Sequence, residues 1–432
     1  METIVWNGAT AAQKKKALER PALPHDENVF QTVEAIVGEV KAKGDTALRT
    51  FNARFGGGER KNLRVAKNEM DAALLALPSE LRASLRRAKR NIERFHKAQR
   101  PEAVLCETEP GVRCGLLWRP IERVGLYIPA GTAPLFSAVL MEAVPAKIAG
   151  CATIVLCTPP RRDGSVDPGI LAAARLCGIK DVFAVGGAQA IAAMAYGTRT
   201  VPKVDKIFGP GNMYVTAAKQ LVSQDPSGAV LDMPAGPSEV LVIADAEANA
   251  DWVAADLLAQ AEHDAASQAI LLTSAKTLAK KVQEALAQQL EALPRKAIAE
   301  KSLKQGRIIL VRNIPEAVEV SNLYAPEHLI LHTKNAARLL PTIRHAGSVF
   351  VGSTTPETAG DYASGTNHVL PTYGYARTYG GLSVYSFMKS MTVQTLTSDG
   401  LKALGPTLVR MARAETLDAH ANAVTVRLGG CL

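Results

Sequence analysis

Residues 325–333 read APEHLILHT, and the pair Glu327-His328 opens an apolar run bounded by a proline. Such a run reads as a strand entering a core. An acid and an imidazole at its mouth are either a tolerated strand-end pair or an acid/base site at a sheet edge. A second group of candidates is metal-ligating. In AQAEHDAAS, Gln260 and His263 lie three apart on a predicted helix, which puts both on one face. That spacing is the one used by helical Glu-x-x-His metal ligands, although a helix histidine is more often packed or exposed. In TAGDYASGTNHVLPT, Asp361 and His368 fall in a polar loop without helical or strand period, and such loops commonly carry function. With no CxxC pair among the six cysteines, a tetrahedral zinc site would have to draw on His, Asp, Glu and Gln. His25, His96, His332 and His345 have no suggestive context, and context alone would also leave His420 on a helix surface and Ser238 in a turn.

These residues need elements to hold them. From Arg113 onward, short apolar runs end in glycine or proline: RVGLYIPAG, TIVLCTPP, DVFAVGG and KIFGPG. Helical stretches lie between them, the alternation expected of βα units around a mostly parallel sheet. A second set follows in EVLVIAD, QAILLTS, RIILV, HLILHT and GSVFVG, so a duplicated α/β layout is expected without an evident sequence repeat. The first hundred residues are predicted mainly helical, and the chain ends in helical TLVRMARAETLDAHANAV. The tail after Ser383 is too short for a strong core of its own, so it should pack on another domain or a partner subunit. The turns Gly186-Gly187-Ala188-Gln189 and Gly209-Pro210-Gly211-Asn212 sit where open α/β sheets bind ligands. Neither matches GxGxxG, because Tyr214 occupies the third glycine position, and glycine turns alone are as readily structural.

Composition narrows the class. A chain of 432 residues exceeds a single core, and 47% apolar with 21% charged residues is ordinary for a globular protein. The N-terminal METIVWNGATAAQKKK has no apolar stretch of signal-peptide type, and no run is long and apolar enough for a membrane span. Scattered cysteines fit reduced thiols in a cytoplasmic protein. The formal charge of +9 is concentrated in helical stretches such as SLRRAKRNIERFHKAQR, which read as solvated faces. With 5% aromatic residues and no nucleic-acid motif, nucleic-acid binding is discarded.

Taken in order, VGLYIPAGTAPLFSAVLM, VGGAQAIAAMAYGT, KIFGPGN, DMPAGPSEVLVIAD, LLAQAEHD, YAPEHLI, AGSVFVG, GDYASGTNHVLPTYGYAR and AETLDAH closely resemble the histidinol dehydrogenase family, from about residue 25 to the end. The resemblance implies two Rossmann-like α/β domains with an incomplete dinucleotide motif, plus small terminal helical segments involved in dimerisation. It divides the chain into an extension (1–24), a discontinuous first α/β domain carrying most of the zinc and catalytic site (25–126 and 238–382), an NAD-binding second domain (127–237) and a dimerisation tail (383–432). It implies oxidation of L-histidinol through the aldehyde to L-histidine, with two NAD consumed and one zinc per subunit.

The same resemblance carries zinc ligation onto Gln260, His263, Asp361 and His420, the last from the neighbouring subunit of a homodimer. Substrate contacts fall on Ser238, Gln260, His263, His328, Asp361, Glu415 and His420, with His368 close by. Cofactor contacts fall on Tyr127, Gln189 and Asn212, and catalysis on Glu327 and His328. These residue types suit the chemistry: an imidazole can accept the alcohol proton, and a neighbouring carboxylate can deprotonate the water that attacks the aldehyde. The rival within the fold is a dehydrogenase of another small alcohol, such as a sulfopropanediol, and the rival outside catalysis is a zinc-binding scaffold. Glu415 with the full ligand set favours histidinol, and the Glu327-His328 pair disfavours a scaffold.

Overall fold

The computed structural model describes residues 1–21, 27–58, 60–130, 134–234 and 236–430; His25 and Cys431 lie outside these. The chain divides into two units, one of residues 1–99 and 121–387, the other of 100–120 and 388–432.

The first unit is built on two parallel sheets. Its six-stranded sheet runs Glu2–Val5, Arg307–Leu310, Gln268–Thr273, Glu239–Ala244, His328–His332, Ser348–Val351. Its five-stranded sheet runs Asp181–Ala184, Thr153–Thr158, Arg123–Tyr127, Lys206–Phe208, Val230–Leu231. Leaving aside the edge strand Glu2–Val5, each sheet has the chain order 3-2-1-4-5, so the layout is duplicated as the two sets of apolar runs suggested. Helices cover both faces, which is why the interiors of the central strands are apolar. In Glu239–Ala244, Val240 and Val242 enter one core cluster while Leu241 and Ile243 enter the cluster behind the sheet. That split is the two-residue alternation of a strand buried on both sides.

The helices Glu27–Lys43 and Asp45–Arg54 share a core with Tyr127, Val155, Phe183 and Ile191 of the five-stranded sheet and its helices. Gly44, at φ +53°, breaks what the sequence presents as one helical pattern. Ser79–Lys97 packs on Phe136–Ala149 of the same layer. The stretch 27–97 therefore packs on the five-stranded sheet and its helices, while Asn91 and His96 also reach Ala363 and Asn367 of 238–382. The extension 1–24 likewise supplies the edge strand Glu2–Val5, which pairs in register with Arg307–Leu310.

The second unit is a three-stranded antiparallel sheet, Met388–Leu396, Val112–Pro120, Val104–Glu109, with the helices Ser398–Ala414 and Asp418–Thr425. Among its described residues, the buried apolar side chains are Val112 and Ala421.

Candidate active site

Glu327 and His328 stand at the amino end of strand His328–His332, beside the amino end of Glu239–Ala244. Chain geometry delivers them there by a strained step. Ala325 ends the helix Ile314–Tyr324 at φ 56°, ψ 69°, a left-handed conformation costing about 1–2 kcal/mol for a residue with a Cβ. Two backbone hydrogen bonds then clasp the turn: Gly347 N–H donates to the Pro326 carbonyl at 3.0 Å and Ser348 N–H to that of Glu327 at 2.8 Å.

One residue addresses both members of the pair. The Glu239 N–H donates to Glu327 Oε2 at 2.7 Å, and the Glu239 carbonyl lies 3.0 Å from His328 Nδ1. A carbonyl can only accept, so Nδ1 carries a proton and neutral His328 exposes a lone pair on Nε2. Nε2 has no hydrogen-bond partner and faces Asp361 Oδ1 at 3.8 Å. Burial lowers the His328 pKa, but the nearby carboxylates of Glu357, Glu327 and Asp361 outweigh it and raise the value well above ordinary, so these charges favour the imidazolium and a cation held on Asp361 would be what leaves Nε2 free as a base.

Around this ring lies a cluster that fits a metal ion. One ligand atom each of His328, Glu357 and Asp361 lie within 4.8 Å of one another. Gln260 is fully buried, and neither atom of its amide has a partner, an arrangement that leaves a desolvation penalty unless a ligand meets it. His263 acts electrostatically on His368, and His368 in turn lies against the Asp361 backbone carbonyl, with Nδ1 at 2.7 Å. Burial holds the His368 pKa below its ordinary value, so it is a neutral ring with Nδ1–H committed. Carboxylate, carboxamide and imidazole donors without thiolate suit zinc and its neighbours in the first transition row.

Two local expectations are corrected here. The helix carrying Gln260 spans Ala250–Ala261, so His263 sits on the turn beyond it. A tight His263 N–H to Gln260 carbonyl bond of 3.2 Å, not a shared helix face, relates the two. Asp361 is not in a loop but in the short helix Glu357–Tyr362. That helix also presents Glu357, which sequence reasoning missed. Glu357 is buried, its Oε1 is 3.6 Å from His328 Nδ1, and burial pushes its pKa up to about 8. Ser238 is half-buried just ahead of Glu239–Ala244, its carbonyl accepting from Gln268 N–H at 3.0 Å. Glu415 and His420 belong to the second unit, both exposed, at the end of Ser398–Ala414 and within Asp418–Thr425.

A cavity of about 1090 Å³ opens at the carboxyl ends of the five-stranded sheet. Tyr127, Gln189 and Asn212 line it, and His263 and Tyr362 line its other side. This is the position that a 3-2-1-4-5 strand order leaves for a ligand. Tyr127 accepts the Gly187 N–H at 3.0 Å, and burial raises its pKa to about 12, so its own O–H remains a donor. Gln189 Oε1 is buried and unpartnered. Asn212 caps the helix Met213–Gln224, with Oδ1 accepting from Tyr214 N and Val215 N, which leaves only its amide N–H groups for a ligand. A volume of this size, lined by polar groups at the glycine turns, suits a dinucleotide.

The histidinol dehydrogenase family model matches residues 19–428. Histidinol dehydrogenase of Vibrio parahaemolyticus is 53% identical over 428 residues, covering 99% of this chain and 98% of that protein. The Escherichia coli histidinol dehydrogenase is 54% identical over 425 residues, 98% and 97% of the two chains. A crystal structure of histidinol dehydrogenase from Elizabethkingia anophelis superposes with a TM-score of 0.96 at 47% identity, covering 99% and 98%. The chain belongs to the histidinol dehydrogenase family.

Proposed function

We propose that this oxidoreductase converts L-histidinol to L-histidine through the enzyme-held aldehyde, the closing reaction of histidine biosynthesis. The observation that carries the reading is His328, whose Nδ1–H is tied to the Glu239 carbonyl while Nε2 is left open toward Asp361. A ring so fixed can take the alcohol proton on Nε2 as the carbinol hydrogen leaves as hydride; Tyr127, Gln189 and Asn212 would hold the NAD that supplies the hydride acceptor. Glu327 serves the following step. With Oε2 engaged by the Glu239 N–H, we assign Oε1 to the water that adds to the aldehyde, which yields the hydrate for a second hydride departure. Ser238 and His368 are proposed to contact the substrate.

Zinc held by Gln260, His263, Asp361 and His420 of the partner subunit would supply an orienting grip on the imidazole and amine of the substrate. Glu415 of the partner subunit is proposed as a further substrate contact. The division of labour places NAD on 127–237 and the metal with the base on 238–382. The free cysteines suit a reducing, cytoplasmic setting, and no helix of the described residues is long and apolar enough to cross a membrane.

The test is stoichiometric. Purified protein assayed for metal and for NADH produced per histidinol consumed should give one zinc per chain and two NADH. A yield of one NADH with free aldehyde released, or turnover of a sulfonated alcohol but not of histidinol, would overturn the reading.

A further inference from the structure

Behind Glu327 lies a buried ion pair that the chemistry above does not use. Arg20, from the segment ahead of the first long helix, places Nε 2.5 Å and Nη2 3.0 Å from the two carboxylate oxygens of Glu239, a two-pronged contact. The side chains are 14% and 2% exposed, so neither is a surface charge. The same guanidinium donates to the carbonyls of Tyr324 at 2.8 Å and Ala325 at 3.2 Å, and its centre stacks 3.9 Å from the middle of the Tyr324 ring. Arg20 thus grips the peptides on both sides of the left-handed step that delivers Glu327. Glu239 is held from a third side by the Tyr373 N–H at 2.9 Å, and its own backbone N–H is the group that binds Glu327 Oε2.

We propose that Arg20, acting through Glu239 and the Tyr324-Ala325 peptides, is a positioning residue for Glu327. The proposal rests on the role assigned to Glu327 in the aldehyde step. Two attachments converge on one carboxylate: the turn that carries it and the N–H that aims it. Both hang on one guanidinium. Loss of that guanidinium leaves the buried Glu239 carboxylate without its counter-charge and frees the Ala325 step to relax, which misdirects Glu327. His328 should feel less, because its own tie is to the Glu239 carbonyl within the sheet, where Val240 pairs with it.

The experiment compares the intact dimeric enzyme with Arg20→Gln, Arg20→Lys, Glu327→Gln and the Arg20→Gln/Glu327→Gln double variant. Rates of histidinol oxidation and of histidinaldehyde oxidation are measured separately by stopped-flow NADH formation, with zinc content alongside. Arg20→Gln should slow the aldehyde step by about 10-fold or more, the lower end of what losing an outer-shell partner costs at a metal site. The alcohol step should change less than about 3-fold and zinc should stay at the parent level. Arg20→Lys, which keeps the charge but not the fork, should recover part of the loss. In the double variant the Arg20 change should add nothing to the Glu327→Gln defect. Additive effects, equal slowing of both steps, or no slowing would overturn the positioning role. An unimpaired aldehyde step in Glu327→Gln alone would instead overturn the role of Glu327. If Arg20→Gln does not fold, the Lys variant carries the same comparison.

Discussion

A histidine's role is set by what its two nitrogens meet, and this chain shows three outcomes. His328 has Nδ1 on a backbone carbonyl and Nε2 open among carboxylates, a reactive arrangement. His368 is neutral and committed to Asp361. His96 is structural: it is fully buried, its Nδ1 donates to the Ile92 carbonyl at 2.9 Å, and Asn367 Nδ2 approaches Nε2 at 3.4 Å. Burial lowers the His96 pKa despite its backbone partners. The unfolded chain therefore binds a proton near pH 6.5 that the native state refuses. Its contribution is fully present above that pH and is lost as pH falls below it, by at most about 1.4 kcal/mol per pH unit. Urea midpoints at pH 7.5 and 5.5 check this: His96→Gln should lose less stability on acidification than the parent. An identical loss in both would show that His96 titrates alike in the folded and unfolded chain.

At the scale of elements, the glycine turns link the fold to the cofactor cavity. Gly209 has φ +112°, and a Cβ added there would lie 2.2 Å from the Tyr127 carbonyl oxygen and 3.0 Å from Glu142 Oε1. Its N–H donates to Asp232 at 2.9 Å and its carbonyl accepts from Lys219 at 3.0 Å, so a buried ion pair pins it from both sides. Gly209→Ala should displace Asn212 and raise the KM for NAD by about 10-fold, as about 1.4 kcal/mol of strain passed to the loop would do. Zinc content and the KM for histidinol should hold; a rise in the histidinol KM alone would refute this account of the turn. These turns and the buried strands were legible because a strand covered on both faces must be apolar and must end in chain-reversing residues. Other elements left weaker marks. Val104–Glu109 is exposed along its length, so no alternation announces it, and Glu2–Val5 is four residues at a sheet edge. Glu357 follows a proline in TTPETAG and reads as a surface helix start; only the approach of His328, 29 positions earlier in sequence, turns it into a site residue. The His328 tautomer depends on a carbonyl 89 residues away, a contact no local pattern encodes.

For the whole molecule, the second unit poses the question of assembly. It buries Val112 and Ala421, yet Leu105 is 75% exposed, Met411 60% and Val426 52%, on a sheet and helices with little core of their own. Apolar side chains exposed on so small a unit are what the proposed dimer contact would cover. Glu415 and His420 ride on this unit, while Gln260, His263 and Asp361 belong to the other, so the shared-site reading makes a functional prediction about chain exchange. Mixed refolding of His420→Ala and His328→Asn chains should yield heterodimers with partial activity, although each parent variant is nearly inactive. If sites are shared, one of the two in a heterodimer receives an intact His328 from one chain and an intact His420 from the other. The second site collects both lesions, so activity should approach about half of the parent per heterodimer if the two sites act independently. Sedimentation at assay concentration would establish that dimers formed. Dimers that form but regain no activity would mean that each site draws all its ligands from one chain.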